Sequence, residues 1–426
     1  MTEAISFQAP KGTFDVLAPA SQRYEWLIGV FAGIVEAAGY GLIMSPMFED
    51  VGVFQRVGES TDIVRKEMYD FFDKGDPPRH LALRPEGTAS VVRAWVEHRP
   101  ALPFKAWYLG PSFRYEAPQA GRYRQHHQLG VEALGTEDPD LDVEVIGLLA
   151  RFYATLGLTR VACDLNSIGD DVCRPAYRAE LEAFIEARAD QLCDEHRERY
   201  RDNPLRVLDC KNAACREATA GAPRQVDQLC EPCATHFERV KAGLSAIGVS
   251  FNINWRLVRG LDYYTRTVFE FVPEAVGSAQ TAVGAGGRYG GLVESLGGPP
   301  TPGIGFGCGI ERVLLACDAQ GVDTAATART VDVFVVDTTG GEVARDLTHD
   351  LRAAGISADR AWDQRSFKAQ FKAADRSGAK VALVVGSDEA DRGVVAIKAL
   401  RSDDRDRSQT EVARPAVIQH VRNLLQ

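Results

Sequence analysis

Two segments, FKAWYLGPSFRYE and RQHHQLGVEALG, joined by the polar stretch APQAGRY, constrain the fold more than anything else in this chain. They read as two strands connected by a loop. Further on, TVFEFVP, TAVGAGGRYGG and TPGIGFGCGIERVLLAC read as strands, glycine turns and a closing helix. Antiparallel strands with few crossover helices point to an α+β core rather than a doubly wound sheet. Tyr24 to Ala38 is an amphipathic helix, with Trp26, Leu27, Val30, Phe31, Ile34 and Val35 on its apolar side and a stop at Gly39. GLIMSP follows as a strand closed by Pro46. Roughly Asp170 to Ile247 is mostly helical, rich in Arg, Glu and Ala, and has the look of an inserted domain.

Charge is unevenly spread. The chain of 426 residues carries 49 Lys+Arg against 59 Asp+Glu, net −10, yet Val331 to Gln426 holds 15 of each sign. The polar stretch Cys317 to Thr330 fits a boundary between the acidic part and the neutral one. After it VDVFVV, EVARDLTHDLRAAG, a helix from about Ser366 to Ser377, and KVALVVG alternate as strands and helices of a small α/β domain. The expected division is a catalytic domain over 1–325 with the helical insertion at about 170–247, a linker over 326–330 and an α/β domain over 331–426. No apolar run approaches the roughly 18–20 residues that span a bilayer. The N-terminus lacks a basic and then apolar leader, and nine cysteines make no disulfide scaffold, so a cytoplasmic setting is expected. The acidic balance argues against nucleic acid over the whole surface but leaves room for a local basic face.

Glycine-rich segments invite a nucleotide reading, but the common templates fail. GxxxxGK[ST] is absent, and GIGFGCGIER lacks the strand–turn–helix setting of a dinucleotide fingerprint. Gly303, Gly305, Gly307 and Gly309 read as a strand packed against something bulky. Arginine offers another route to phosphate, because its planar fork pairs bidentately with phosphate oxygens. Arg114, Arg122, Arg259 and Arg312 stand among aromatics and glycines where such pairing is expected.

FRYEAPQAGRYRQHHQLGVEALG resembles motif 2 of class II aminoacyl-tRNA synthetases in the form carried by histidyl-tRNA synthetases. LVRGLDYYTRTVFEF resembles the histidine-binding signature of that family, GIGFGCGIERVLL its motif 3 and LRPEGT its amino-acid-binding loop. KGTFDVLAP, the segment ending at Pro46 (motif 1), GESTDIVRKEMYDF and the C-terminal α/β domain, similar to an anticodon-binding module, extend the resemblance over nearly the whole chain.

The resemblance implies a class II antiparallel catalytic core and a histidine–tRNA ligase, which makes histidyl-adenylate from histidine and ATP and transfers it to the 3′ end of its tRNA. It implies ATP with Mg2+ as substrate, no metal in catalysis, and a homodimer built on motif 1. Arg114 and Arg312 would grip ATP at its α- and γ-phosphate ends, with Glu116 and Arg122 also at the nucleotide. Arg259 would lie near the α-phosphate and the histidine carboxylate, making Arg259 and Arg114 the catalytic pair. Glu86, Gly87, Thr88, Gln128 and Glu132 would hold the α-ammonium and imidazole, with Arg114 and Arg259 beside them. Tyr263, Tyr264 and Tyr289 would wall the imidazole pocket, and Gln119 in the motif 2 loop would meet the tRNA acceptor end. The related non-catalytic reading, a synthetase-like regulatory subunit of ATP phosphoribosyltransferase, lacks the anticodon module and has degraded catalytic motifs.

Some positions depart from the family pattern. Gly290 stands where Asp is common, Ala117 where Arg is frequent and His126 where Phe is frequent. Cys210, Cys215, Cys230 and Cys233 have a spacing compatible with a structural tetrathiolate zinc site, although reduced, metal-free thiols are the favoured reading. His126, His127 and His236 read as polar contacts rather than ligands. Arg365, Lys368, Lys372 and Arg376 fall at spacings that put them on one face of one helix, a candidate RNA-backbone stripe.

Overall fold

The computed structural model describes residues 7–56, 58, 63–258, 263–274, 282–324, 330–401 and 409–425. Arg259, the start of GESTDIVRKEMYDF beyond Gly58, and the linker up to 329 lie outside the described residues. The chain divides into two compact units, Met1–Ala325 and Ala326–Gln426.

The first unit is built on an eight-stranded sheet. Its strands run, edge to edge, Gly41–Ile43, Phe104–Phe113, Gln125–Leu134, Gly303–Gly309, Gly284–Tyr289, Tyr264–Pro273, Val161–Ser167 and Phe251–Ile253. Only the two outermost pairs are parallel; every inner pair is antiparallel. The hairpin read from the sequence is therefore the spine of the sheet, with Phe104 opposite Leu134 and Phe113 opposite Gln125. GLIMSP forms a strand only over its first three residues.

Helix Ala20–Ala37 buries Leu27, Phe31 and Val35 at a spacing of four, which is one stripe of a helix. These side chains join Phe152, Phe306 and Val313 in the largest core cluster, each buried aliphatic or aromatic chain contributing about 1.5–3 kcal/mol. Helices Pro139–Thr155 and Ile310–Gln320 close the same face. The opposite face carries helix Thr88–His98, whose Ala89, Val92 and Trp95 pack with Leu134 and Tyr289.

The inserted stretch is helical as expected: Arg174–Glu186, Asp194–Arg199, Leu205–Leu208, Ala213–Ala218 and Glu231–Ala246. Its last helix belongs to the main core, through Phe237, Val240 and Leu244. The others share a small core of their own around Tyr177, Leu181, Tyr200 and Val207.

The second unit has five strands in the order Ala358–Arg360, Val333–Asp337, Val381–Val385, Val394–Ala399, Thr410–Ala413, the first two pairings parallel and the last two antiparallel. Its second long helix is Phe367–Arg376, one residue shorter at each end than the sequence reading. That shift corrects the basic stripe. Lys368, Lys372 and Arg376 share an exposed helical face, but Arg365 precedes the helix, beyond the Ser366 cap and after Asp363 and Gln364, both at positive φ.

Candidate active site

The site starts where helix Thr88–His98 begins. First-turn N–H groups of a helix have no intrahelical acceptor. Here the Glu86 carboxylate accepts from Thr88 N at 2.6 Å and Ala89 N at 2.8 Å. The Thr88 hydroxyl donates to Glu132 Oε1 at 2.6 Å, and the Tyr289 hydroxyl donates to Oε2 at 2.7 Å. Both oxygens of a fully buried carboxylate are thus held by side chains from two other elements. Burial pushes the Glu132 carboxyl up to about 8, against the lowering effect of those two hydrogen bonds, with the Glu86 charge adding to the rise. Burial likewise raises Glu86. A cation brought to this floor restores the ionised form of Glu132.

Aromatic walls stand over it. Tyr263 lies 4.6 Å from Tyr264 and 5.7 Å, edge-on, from Tyr289 between ring centroids. Two glycines allow the close approach. A Cβ on Gly305 would collide with the Glu132 carboxylate, and one on Gly87 with the Tyr108 ring. Within GIGFGCG, Gly303 against the Tyr289 ring and Gly305 against Glu132 meet bulky groups as the strand reading expected, whereas Gly307 and Gly309 leave room for a Cβ.

Beside the floor is a cavity of 210 Å³ lined by Arg114, Arg122, Arg312, His126, Gln128 and Glu270, among others. Arg114 Nε donates to Pro85 O at 2.9 Å, which ties this rim to the loop that carries Glu86. Arg312 is pinned by the carbonyls of Gly121 at 3.0 Å and Ala282 at 3.2 Å. Arg122 pairs with Glu116 at 3.1 Å across a tight turn in which Gln119 and Arg122 exchange backbone hydrogen bonds. Gln119 itself is exposed at the tip of that turn, away from the lining. Gln128 accepts from the Ser112 hydroxyl at 3.0 Å and faces the cavity from the central strand. Burial lowers the Arg312 pKa, and the cations of Arg122 and Arg114 lower it further. A crowd of like charges of this kind is arranged for an anion.

The polar contacts read at His126 and His127 find their partners here, and Lys211 joins them from outside the sequence reading. Burial, with Arg114 and Arg312, presses the His126 imidazole down to about 3, so it faces the cavity neutral. His127 Nδ1 lies 2.8 Å from Glu311 Oε1, and its N–H donates to the same carboxylate, locking the closing helix to the hairpin. Lys211, from the insertion, has a pKa lowered by burial and by Arg122 and Arg312, against Asp209 and Glu270, and brings a further cation to this side. None of these carries a local sequence signal, since each depends on a partner far along the chain. His236, as read, is a polar contact: it sits 3.3 Å from Asp142, which also takes the buried Arg288 guanidinium. Burial alone would raise Asp142, but His236 and Arg288 hold it below its ordinary value.

The cysteines require a correction. Cys210, Cys215, Cys230 and Cys233 do not gather as one tetrathiolate set. Cys210 and Cys215 group with Cys193 and His196, while Cys230 and Cys233 group with Asp170 and Cys173. Sequence spacing could not show this, because the pairing is made by the folding of the short helices between them.

In the second unit a separate cavity of 720 Å³ is lined by Arg345, Arg360, Trp362, Arg365 and Phe367, among others. The Arg360 guanidinium lies 4.2 Å over the Trp362 ring. Lys368 and Lys372 are exposed on the neighbouring helix.

A family model described as Histidyl-tRNA synthetase matches residues 12–313, and one described as Anticodon binding domain matches residues 330–424. The chain is 51% identical to a histidine–tRNA ligase of Rhodococcus erythropolis, over 95% of this chain and 96% of that one. It is 48% identical to a histidine–tRNA ligase of Moorella thermoacetica, over 97% and 98%. Its fold is similar to that of the apo histidyl-tRNA synthetase of S. aureus, at a TM-score of 0.81 and 35% identity, over 98% and 100% of the two chains.

Proposed function

The chain belongs to the histidyl-tRNA synthetase family and is an aminoacyl-tRNA ligase for histidine; from that premise we propose how its residues divide the work. One observation carries the proposal: a buried carboxylate floor and a cationic cavity meet along Arg114 and Gln128. Histidine sits with its imidazole against Glu132 and the Tyr263, Tyr264 and Tyr289 walls. Its α-ammonium faces Glu86, Thr88 and Gln128, acceptors that a buried ammonium requires. The Gly87 turn keeps Glu86 and Tyr108 close enough to form that seat.

ATP enters the cavity with its α-phosphate at Arg114 and its γ-phosphate at Arg312, while Glu116 and Arg122 hold the turn over the nucleotide. The carboxylates of Glu116 and Glu270 in the lining suit Mg2+ carried on the phosphates, since that ion prefers oxygen donors. A carboxylate oxygen of histidine attacks the α-phosphorus, and the bond to the β-phosphate oxygen breaks to release pyrophosphate. Arg114, and Arg259 as read from its motif, stabilise the charge that develops on the phosphoryl oxygens. The terminal ribose hydroxyl of the tRNA then attacks the acyl carbon and AMP leaves.

We assign Gln119 at the exposed turn to the acceptor end of the tRNA. The C-terminal unit takes the anticodon with Arg365 at its cavity and with Lys368 and Lys372 on the adjacent helix. The enzyme acts as a cytoplasmic homodimer. Among the described residues no helix is long and apolar enough to cross a membrane. The anticodon-binding match over residues 330–424 separates this reading from a regulatory subunit without that module.

The test is histidine-dependent ATP–pyrophosphate exchange by the purified protein, followed by charging of histidine tRNA. Exchange that needs histidine and charging of that tRNA support the assignment. Exchange supported equally by other amino acids would overturn the imidazole seat.

A further inference from the structure

The stretch from Cys193 to Ala218 is built from short helices around a small shared core. It contains three helices of 6, 4 and 6 residues, Asp194–Arg199, Leu205–Leu208 and Ala213–Ala218. Helices this short are marginal in water, and segments with only a small core gain stability from a cross-link, a metal or a partner. The local core is small, built from single side chains such as Tyr200, Val207 and Ala218. No disulfide joins the stretch; all its cysteines are free.

The four groups that could bind a metal stand at the joints of these helices. Cys193 caps the first, His196 lies within it, Cys210 follows the second and Cys215 sits in the third. Their ligand atoms all lie within 4.8 Å of one another. Cys193 Sγ is 3.1 Å from His196 Nδ1 and 4.0 Å from Cys210 Sγ. Ligands on a tetrahedral zinc at about 2.3 Å for sulfur and about 2.0 Å for nitrogen stand roughly 3.5–3.8 Å apart, so the set needs only small adjustments to close. The Cys193 N–H also donates to Cys215 Sγ at 3.2 Å, the kind of backbone support that thiolate ligands receive. Three soft sulfurs and one imidazole select zinc over hard cations, and four protein ligands leave no open position for catalysis.

We propose that Cys193, His196, Cys210 and Cys215 hold a structural zinc ion that fixes the short helices of the insertion. The four-cysteine grouping suggested by spacing is replaced by this three-sulfur, one-nitrogen set. The second cluster, Asp170, Cys173, Cys230 and Cys233, supplies the control, because it shares no residue with the first.

The experiment is elemental analysis and zinc X-ray absorption on the full-length protein and on Cys193→Ser, Cys215→Ser and Cys230→Ser. Zinc is expected to co-purify, with a first shell fitting about three sulfurs and one nitrogen in Cys230→Ser. Cys193→Ser and Cys215→Ser are expected to lose about one equivalent relative to the unsubstituted protein. Should those variants fail to fold, Cys230→Ser still decides, because it leaves only the first cluster intact. Cobalt(II) bound after zinc removal is expected to show the thiolate charge-transfer and visible bands of a tetrahedral site. Metal-free protein that takes up no cobalt, or a zinc content unchanged in a folded Cys193→Ser, would overturn the proposal.

Discussion

The floor and the rim of the active site are built on opposite principles. At the floor, Glu132 is fully buried and both its oxygens are already engaged, by Thr88 and Tyr289. At the rim, Arg114, Arg122 and Arg312 crowd one cavity, and burial, with the cations of its neighbours, lowers Arg312. A site made of pre-formed hydrogen bonds discriminates by shape and by the penalty for an unpaired polar group. A site made of gathered cations stabilises whatever negative charge develops within it. On the proposed assignment, the contrast accounts for how one pocket selects an imidazole while its neighbour handles a triphosphate that carries no such information.

The sharpest way to break the contrast is at the residue common to both regions. Arg114→Ala is expected to cut the rate of adenylate formation by about 10²–10³-fold, the scale for a preorganised charge at the reacting group. Single-turnover adenylate formation checks it, and a change under threefold would remove Arg114 from the chemistry.

The next effect belongs to the floor. Glu132→Gln is expected to raise the KM for histidine by about 10–100-fold, from the loss of a hydrogen bond to a charged group, and to leave the KM for ATP within about twofold. The same residue sets a pH signature. In the folded protein it keeps its proton up to about pH 8, whereas the unfolded chain releases it near the ordinary value of 4.5. The native state thus binds more protons across that window, and its contribution to stability falls as pH rises from about 4.5 to about 8. Thermal melts over this range are expected to show a shallower decline in Glu132→Gln than in the unsubstituted protein.

A smaller effect comes from the strand beneath. Gly305→Ala forces a methyl group against the Glu132 carboxylate and the backbone of Val131. A cost of about 1–3 kcal/mol is expected in denaturant unfolding, as for other overpacked positions. The smallest is in the C-terminal unit, where Lys372→Ala is expected to reduce the salt slope of tRNA binding by about one and to leave pyrophosphate exchange unchanged.

Much of the floor was legible because its residues sit in contiguous motifs that carry the family resemblance. LRPEGT places Glu86 and Thr88 together before a helix, and alternation along RQHHQLGVEALG puts Gln128 and Glu132 on a common face of one strand. From the residues alone the rim was legible only as separate arginines, joined at ATP by the family resemblance. What holds Arg312 in place are carbonyls of Gly121 and Ala282 that no spacing reveals. Lys211 and the Glu311 partner of His127 escaped for the same reason, although His126 and His127 themselves read as polar contacts. The basic stripe was misread at Arg365 because the chain turns through positive φ at Asp363 and Gln364 before the helix begins. The spacing of Cys210, Cys215, Cys230 and Cys233 is compatible with one tetrathiolate site only because sequence distance, not the packing of short helices, orders them there.

The most direct test of the division between floor and rim is calorimetric titration of histidine, without ATP, into Glu132→Gln and Arg312→Ala. The expected result is histidine affinity at least about tenfold weaker in Glu132→Gln and within about twofold of the unsubstituted protein in Arg312→Ala. Equal losses in both variants, or a loss confined to Arg312→Ala, would contradict it.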